Sequence, residues 1–425
     1  MCGGISLVHG VLTMNSPLRV VLWACISIVA APWAQAQETS VSIAQIYQSA
    51  LENDPSLRVQ GQRIEALKAG RRHANRLSAG PLSLEGSYRS DRNFDNQGLR
   101  ETELGISAPL WLWNERSQNQ NVRQAELQTG QLRFDALKLE LAGQVRLVYW
   151  NTLAAHLDVE IAQARLAGSE KLMDDVQKRV DAGDLAKADL LQATALHAQA
   201  QAEFARALSA LSAVGAEFTE VTGLPVGALG SEDREPLPVS AENDVQDHPA
   251  YQALQGDVAV QQSRADLVAI QKRDNPELGL ALVNDRAAFA APNEKSLVLS
   301  TRIPLGSSAE YDSRLLAARA DETEAQVRLK RLDTTLKAQA SAARTNVEWF
   351  EKLQANAQTQ AELARQVYSL YQQSFSLGET DLPTLLRFEQ QAFEAERLAK
   401  KSTVEYSTKV SALRQALGLL PEQAP

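Results

Sequence analysis

Cysteine, histidine and aromatic residues are scarce in this chain, and after the first 36 residues no apolar run reaches the ~18 needed to suggest a membrane-spanning helix. Two cysteines and five histidines occur in 425 residues, and aromatics make up 5%. Both cysteines, Cys2 and Cys25, fall in residues 1–36, which read as a secretory signal. Arg19 precedes an apolar run from Val20 to Ala31, and Ala34-Gln35-Ala36 supplies the small residues a signal peptidase needs before Gln37. Met14 is a second candidate start, which would make 1–13 an upstream extension. A retained anchor is the rival reading, but this run is shorter than the ~20 residues that span a bilayer. Leu22-Trp23-Ala24-Cys25 resembles a lipoprotein signal only loosely, because Trp23 stands where a small residue is wanted. A chain cleaved after Ala36 has no thiol, which excludes disulfides, iron–sulfur clusters and thiolate metal sites.

Basic charge and catalytic motifs are also lacking. The net charge is −9, and losing Arg19 with residues 1–36 makes it −10, so nothing is basic enough to track a phosphate backbone and no nucleic-acid partner is expected. His73, His156, His197 and His248 lie far apart, with no HxxxH or HExxH, no nucleophile elbow and no glycine-rich phosphate loop. The many glutamates read as solvated helix faces rather than acid–base pairs. The expectation is therefore a protein with no catalytic residue, no cofactor and no metal site, whose membrane contact, if any, is made by strands.

What is present is a plan stated twice. With an offset of 195, Pro81 falls on Pro276, Pro109 on Pro304, Gly183 on Gly378 and Gly223 on Gly418. Each half reads as helix, two strands, a very long helix, a tight glycine turn and a returning helix. The predicted fold is mainly α with a membrane β-barrel part: tandem-duplicated α-helical coiled-coil hairpins plus four strands per chain. The first repeat is placed at 37–225, the linker at 226–246, the second repeat at 247–421 and a tail at 422–425.

Beyond Pro81 and Pro276 the apolar period drops from about 3.6 to 2. Leu82, Leu84, Gly86 and Tyr88 alternate with Ser83, Glu85, Ser87 and Arg89, and Leu104, Ile106, Ala108 and Leu110 alternate with polar or small residues. Leu278, Leu280 and Leu282, then Leu297, Leu299, Thr301 and Ile303, repeat the pattern. Strands are predicted at about 81–94, 100–112, 276–286 and 295–306. One oily and one wet face suit an outer-membrane barrel; a soluble sandwich with one face in its core has the same pattern. Trp111 and Trp113, where a strand returns to a helix, read either as an interfacial aromatic belt at the barrel rim or as packing of the barrel base.

From Asn114 to Val180 there is no proline, and from Glu310 to Leu377 neither proline nor glycine. Helices of ~67 residues would be about 100 Å long, too long for one globular domain. The tip turns are placed at 181–184 and 376–379, with Gly183 and Gly378 free to take the positive φ that ends a helix. In the first returning helix Leu190, His197, Phe204, Leu211 and Phe218 recur every seven residues beside Ala193, Ala200, Ala207, Val214 and Val221, a coiled-coil seam in which His197 is a packing residue. The second seam is blurred by Ser402 and Lys409.

These residues carry a resemblance. The strands entered at Pro81 and Pro276 and left through Pro109-Leu110 and Pro304-Leu305-Gly306, the turn Arg179-Val180-Asp181-Ala182-Gly183-Asp184-Leu185, and the repeat-closing Thr222-Gly223-Leu224-Pro225 together resemble the TolC family of outer-membrane efflux proteins over essentially the whole mature chain. The resemblance implies a homotrimer whose twelve strands close one barrel in outer-membrane lipid, continued by an α-helical periplasmic tunnel. It implies an exit duct for an inner-membrane pump and a periplasmic adaptor. It places adaptor docking at Ala182, Gly183 and Asp184 and at Leu377, Gly378 and Glu379, a role compatible with simple helix capping. The family often narrows its entrance with aspartates six and nine residues past the second tip glycine; here Thr384 and Arg387 stand there. A gate is therefore expected to use Asp184, Asp189, Glu379 and Asp381, with N-capping as the equal alternative. Strand exits and acidic tips lean toward heavy-metal ducts of the CzcC type; drug efflux and type I protein secretion are the other family roles. Outside the family, the competing readings are a pore-less periplasmic coiled-coil scaffold and a secreted hydrolase.

Overall fold

The computed structural model describes residues 41–229, 234–238, 244–306 and 310–422; residues 1–36, read above as a secretory signal, with both cysteines, parts of the linker and the end of the tail lie outside the described residues. The chain runs α1 (Ile43–Asn53), α2 (Pro55–His73), β1 (Ser83–Ser90), β2 (Arg100–Pro109), α3 (Glu115–Asp181), α4 (Lys187–Thr222), α5 (Pro249–Ile270), β3 (Glu277–Arg286), β4 (Glu294–Arg302), α6 (Tyr311–Ser376) and α7 (Leu382–Ala416).

The punctuation residues explain the element boundaries. Asp54 stays extended and accepts the Leu57 N–H at 3.0 Å, and Pro55 opens α2 at its first turn. His248 does the same for α5, its Nδ1 accepting the Ala250 N–H at 3.1 Å before Pro249. With 67 and 66 residues, α3 and α6 are rods of about 100 Å. Gly183 and Gly378 have φ of +86° and +76°, and Gly223 and Gly418 +72° and +76°, so each pair matched by the 195-residue offset takes the same left-handed conformation. The repeats differ at their start: among the described residues the first has an α-helix, α1, where the second has a single 3-10 turn at Val245–Asp247.

The four strands form one antiparallel sheet in the order β1-β2-β3-β4, in which β2 and β3 join the repeats from Arg100↔Arg286 to Pro109↔Glu277. Several strands are shorter than their alternation suggested. β1 stops at Ser90 because the Asp91 carboxylate accepts the Gln97 and Gly98 N–H groups at 2.7 and 3.0 Å and turns the chain. β2 ends at Pro109, one residue before Leu110, whose N–H still donates to the Pro276 carbonyl at 2.6 Å.

The largest core lies midway along the rods. Ile43, Ile46, Tyr47 and Ala50 of α1 pack on Leu141, Val145, Val148 and Tyr149 of α3 and on Phe218 of α4. Trp150 donates from Nε1 to Ser411 Oγ at 2.8 Å, tying this core to α7. Ser402, which blurs the second seam, is fully buried and donates to the Ala399 carbonyl at 2.8 Å, so its hydroxyl is satisfied within its own helix.

Beside this core the linker between repeats is pinned by charge. The fully buried carboxylate of Glu235 receives Arg146 Nη2 at 2.7 Å and Nε at 2.9 Å, and the Arg414 Nε lies 3.2 Å away. The two guanidinium groups also donate to carbonyls of Leu419, Pro236 and Leu420.

Candidate functional site

The sheet presents its oily residues outward. In register, Leu84 sits beside Ile106, Ile106 beside Leu280 and Leu280 beside Leu299; the next row runs Gly86, Leu104, Leu282, Leu297. All of these leucines and Ile106 are exposed, Leu84 at 80% and Leu299 at 69%, whereas Ser107, Ala281 and Val283 of the alternate face are buried. On that alternate face polar side chains pair across strands, Ser107 with Glu85 at 2.6 Å and Ser87 with Glu103 at 3.2 Å. A soluble sandwich would bury the leucines. This sheet exposes them, and among the described residues its outer strands β1 and β4 each leave one edge without a partner.

Where β2 returns to α3, Trp111 donates from Nε1 to the Arg76 carbonyl at 3.2 Å, while Trp113 is 89% exposed. The buried Glu115 carboxylate closes this junction by accepting from the Leu112 N–H and from the side chains of Gln271 and Asn275 in the second repeat.

At the far end of the rods the two tip turns are built alike. The N–H of Asp184 reaches the Arg179 carbonyl at 2.8 Å and that of Glu379 the Ser374 carbonyl at 3.0 Å, each a six-residue closure around a left-handed glycine. A shared apolar core of Val176, Ala193, Phe375, Leu382 and Leu385 holds the four helix ends together, and the Arg179 guanidinium stacks 4.7 Å over Phe375. Beyond the chain neighbours, no described residue lies within 4 Å of where a Cβ would stand on Gly183 or Gly378, so that side of both turns is open.

The four candidate gate carboxylates divide into two kinds. Asp189 accepts the Ala186 N–H at 3.1 Å and Asp381 the Thr384 N–H at 3.2 Å, so both cap returning helices. The hydrogen bond from Thr384 holds the Asp381 carboxyl below its ordinary range. Asp184 and Glu379 sit in the glycine turns themselves, both exposed at the tips. His197, on the α4 seam, is half-buried and contacts Ser169 Oγ at 3.3 Å and Gln201 at 2.9 Å.

Two features escaped the sequence reading. Along α3, α4, α6 and α7 the lateral order is α4-α3-α7-α6, with α3 tied to α7 by Arg165–Gln390 at 2.7 Å and Asp158–Lys401 at 2.7 Å. On marginal α6 the residues Trp349, Leu353, Leu363, Val367 and Leu370, followed by Leu377 at its C-cap, form an exposed stripe at coiled-coil spacing. That spacing was present in the sequence; the side of the helix it lies on was not. The buried Glu235 cluster left no sequence signal, because its members are far apart in the chain and ordinary in type.

Residues 46–223 match the outer membrane efflux protein family. No curated protein matches the sequence. Among solved structures, VceC from Vibrio cholerae superposes with a TM-score of 0.73 at 15% identity, covering 89% of this chain and 97% of its own. CmeC from Campylobacter jejuni gives 0.71 at 14% identity, with 95% and 94% covered, and MtrE from Neisseria gonorrhoeae 0.71 at 16%, with 89% of each. The first repeat thus matches the outer membrane efflux protein family in sequence, and the fold of these outer membrane channels runs through both repeats.

Proposed function

We propose that the protein is the outer-membrane exit duct of a tripartite efflux system, a passive conduit formed by three copies of the chain. The observation that carries this reading is the sheet: four strands with an exposed oily face and, among the described residues, two unpaired edges. Four strands cannot close a barrel; twelve close one with a water-filled lumen. An even number per chain lets β4 of one copy meet β1 of the next antiparallel, as every other pair in the sheet does. The same arithmetic places marginal α6 of one copy beside marginal α4 of the next, which would cover the apolar stripe on α6. The soluble scaffold reading is disfavoured because it leaves both the oily face and that stripe in water.

The open glycine turns 182–184 and 377–379, held by one core, would receive the adaptor, and a pump in the inner membrane would supply cargo and energy. Trp113 would sit in the interfacial belt, with Trp111 anchoring the barrel base. Asp184 and Glu379 are the better gate candidates, since Asp189 and Asp381 already cap helices. The acidic tips and the Pro-Leu strand exits favour a heavy-metal cargo of the CzcC type.

Conductance of the purified protein across a planar bilayer tests the duct. A steady pore from a trimeric species is expected, and a monomer that passes no current would overturn the reading. Replacing Gly183 or Gly378 by leucine imposes a left-handed φ on a branched residue at a cost of about 1 kcal/mol, too little to unfold the chain. Export in cells should fall at least tenfold with trimers still in the outer membrane; export at the wild-type level would remove the tips from the docking assignment.

A further inference from the structure

Just above the tip core the two coils part around a cavity of about 380 Å³, walled by all four long helices. Its body is apolar and aromatic: Leu196 from α4, Tyr368 from α6, and Leu386 and Phe393 from α7. Its charges are unevenly committed. Arg165 is fully engaged, with Nη1 on Glu203 at 2.6 Å, Nη2 on Gln390 at 2.7 Å and its plane 4.7 Å over Phe393. Arg365 pairs with Glu396 at 3.4 Å. Once these two pairs are set aside, Glu389 remains as the charge without a partner of its own.

Glu389 is half-buried on α7, and burial pushes its carboxyl above the ordinary range although the Arg165 charge opposes the shift. The neighbouring Tyr368 phenol is pushed up as well, by burial and by the Glu389 charge. A desolvated carboxylate without its own cation is unfavourable unless something supplies one. Aromatic walls around it favour a cation with an apolar body over a hydrated metal ion.

The geometry points to this cavity as a binding site for a small organic cation, a protonated amine on an aromatic or aliphatic body, with Glu389 as its counter-ion and Tyr368 and Phe393 as its walls. Such a ligand touches both coils and braces the α3–α4 pair against α6–α7. The inference is independent of the proposed duct, because the cavity lies wholly within one chain.

The test is calorimetric titration of the full chain in detergent at pH 7.5 with 1-naphthylmethylammonium and with 1-naphthoate, an isostere of opposite charge, each corrected for empty micelles. The ammonium is expected to bind once per chain and at least tenfold tighter than the carboxylate. Glu389→Gln should lose at least tenfold in affinity while melting no lower than the wild type, since it removes an uncompensated buried charge. Gly168→Leu offers a second, charge-neutral probe: Gly168 lines the cavity, and no described residue stands within 4 Å of its Cβ position beyond its chain neighbours and its helix's own backbone, so a leucine fits there and is expected to narrow the cavity and weaken binding. Naphthoate binding as tightly as the ammonium, no ammonium binding at all, or Glu389→Gln binding unchanged would each overturn the proposal.

Discussion

Replacement of Glu235 by alanine is expected to lower the stability of the folded chain by about 3–5 kcal/mol, the usual cost of removing one partner from a buried ion pair. Arg146 and Arg414, both nearly without solvent contact, are held by this one carboxylate. Without it, two cations remain side by side in a dry site with, among the described residues, carbonyls, Gln415 and the exposed Glu422 to receive them. The loss also frees the linker, so the two repeats should come apart at lower temperature. Thermal melting of the purified protein measures the effect, and the triple replacement Glu235→Leu, Arg146→Met, Arg414→Met should recover most of the loss because no charge is then left buried. A Glu235→Ala protein that melts within a degree of the wild type would show that water reaches the cluster.

Replacement of Leu282 by arginine should be as damaging for a different reason. Leu282 stands near the middle of β3, flanked in register by Leu104 and Leu297 on the exposed oily face. If that face meets hydrocarbon, arginine there costs about 2–4 kcal/mol per chain, and a trimer incurs it three times. Heat-resistant trimers in outer-membrane extracts should drop at least tenfold. Ser87→Arg, two strands over on the alternate face, should be tolerated if that face lines a water-filled lumen. Equal trimer yields from the two variants would mean that the oily face does not contact lipid.

The tip glycines, the cavity and the Glu235 cluster differ in how far the sequence could expose them. Gly183 and Gly378 were legible because a left-handed turn at the end of an unbroken helix leaves few residue choices, and duplication printed each signal twice. Glu389 was not, since one glutamate among many on a charged helix becomes distinctive only when two coils enclose it without a partner. The gate carboxylates fell between: Asp189 and Asp381 follow turns where capping and gating call for the same residue type, and their hydrogen bonds to Ala186 and Thr384 show that capping occupies them.

By itself the sequence determined the duplication, the long rods, the alternating strands and the glycine turns, because period, proline and glycine act through local backbone geometry that neighbouring residues fix. Only the tertiary structure decided which face of the sheet carries the leucines outward, that β2 pairs with β3 across the repeats, that the two tips share one core, and that Glu235 holds Arg146 and Arg414. Each of those depends on segments tens to hundreds of residues apart meeting in space, and pairing over such distances is set by the packing of whole elements rather than by any local pattern.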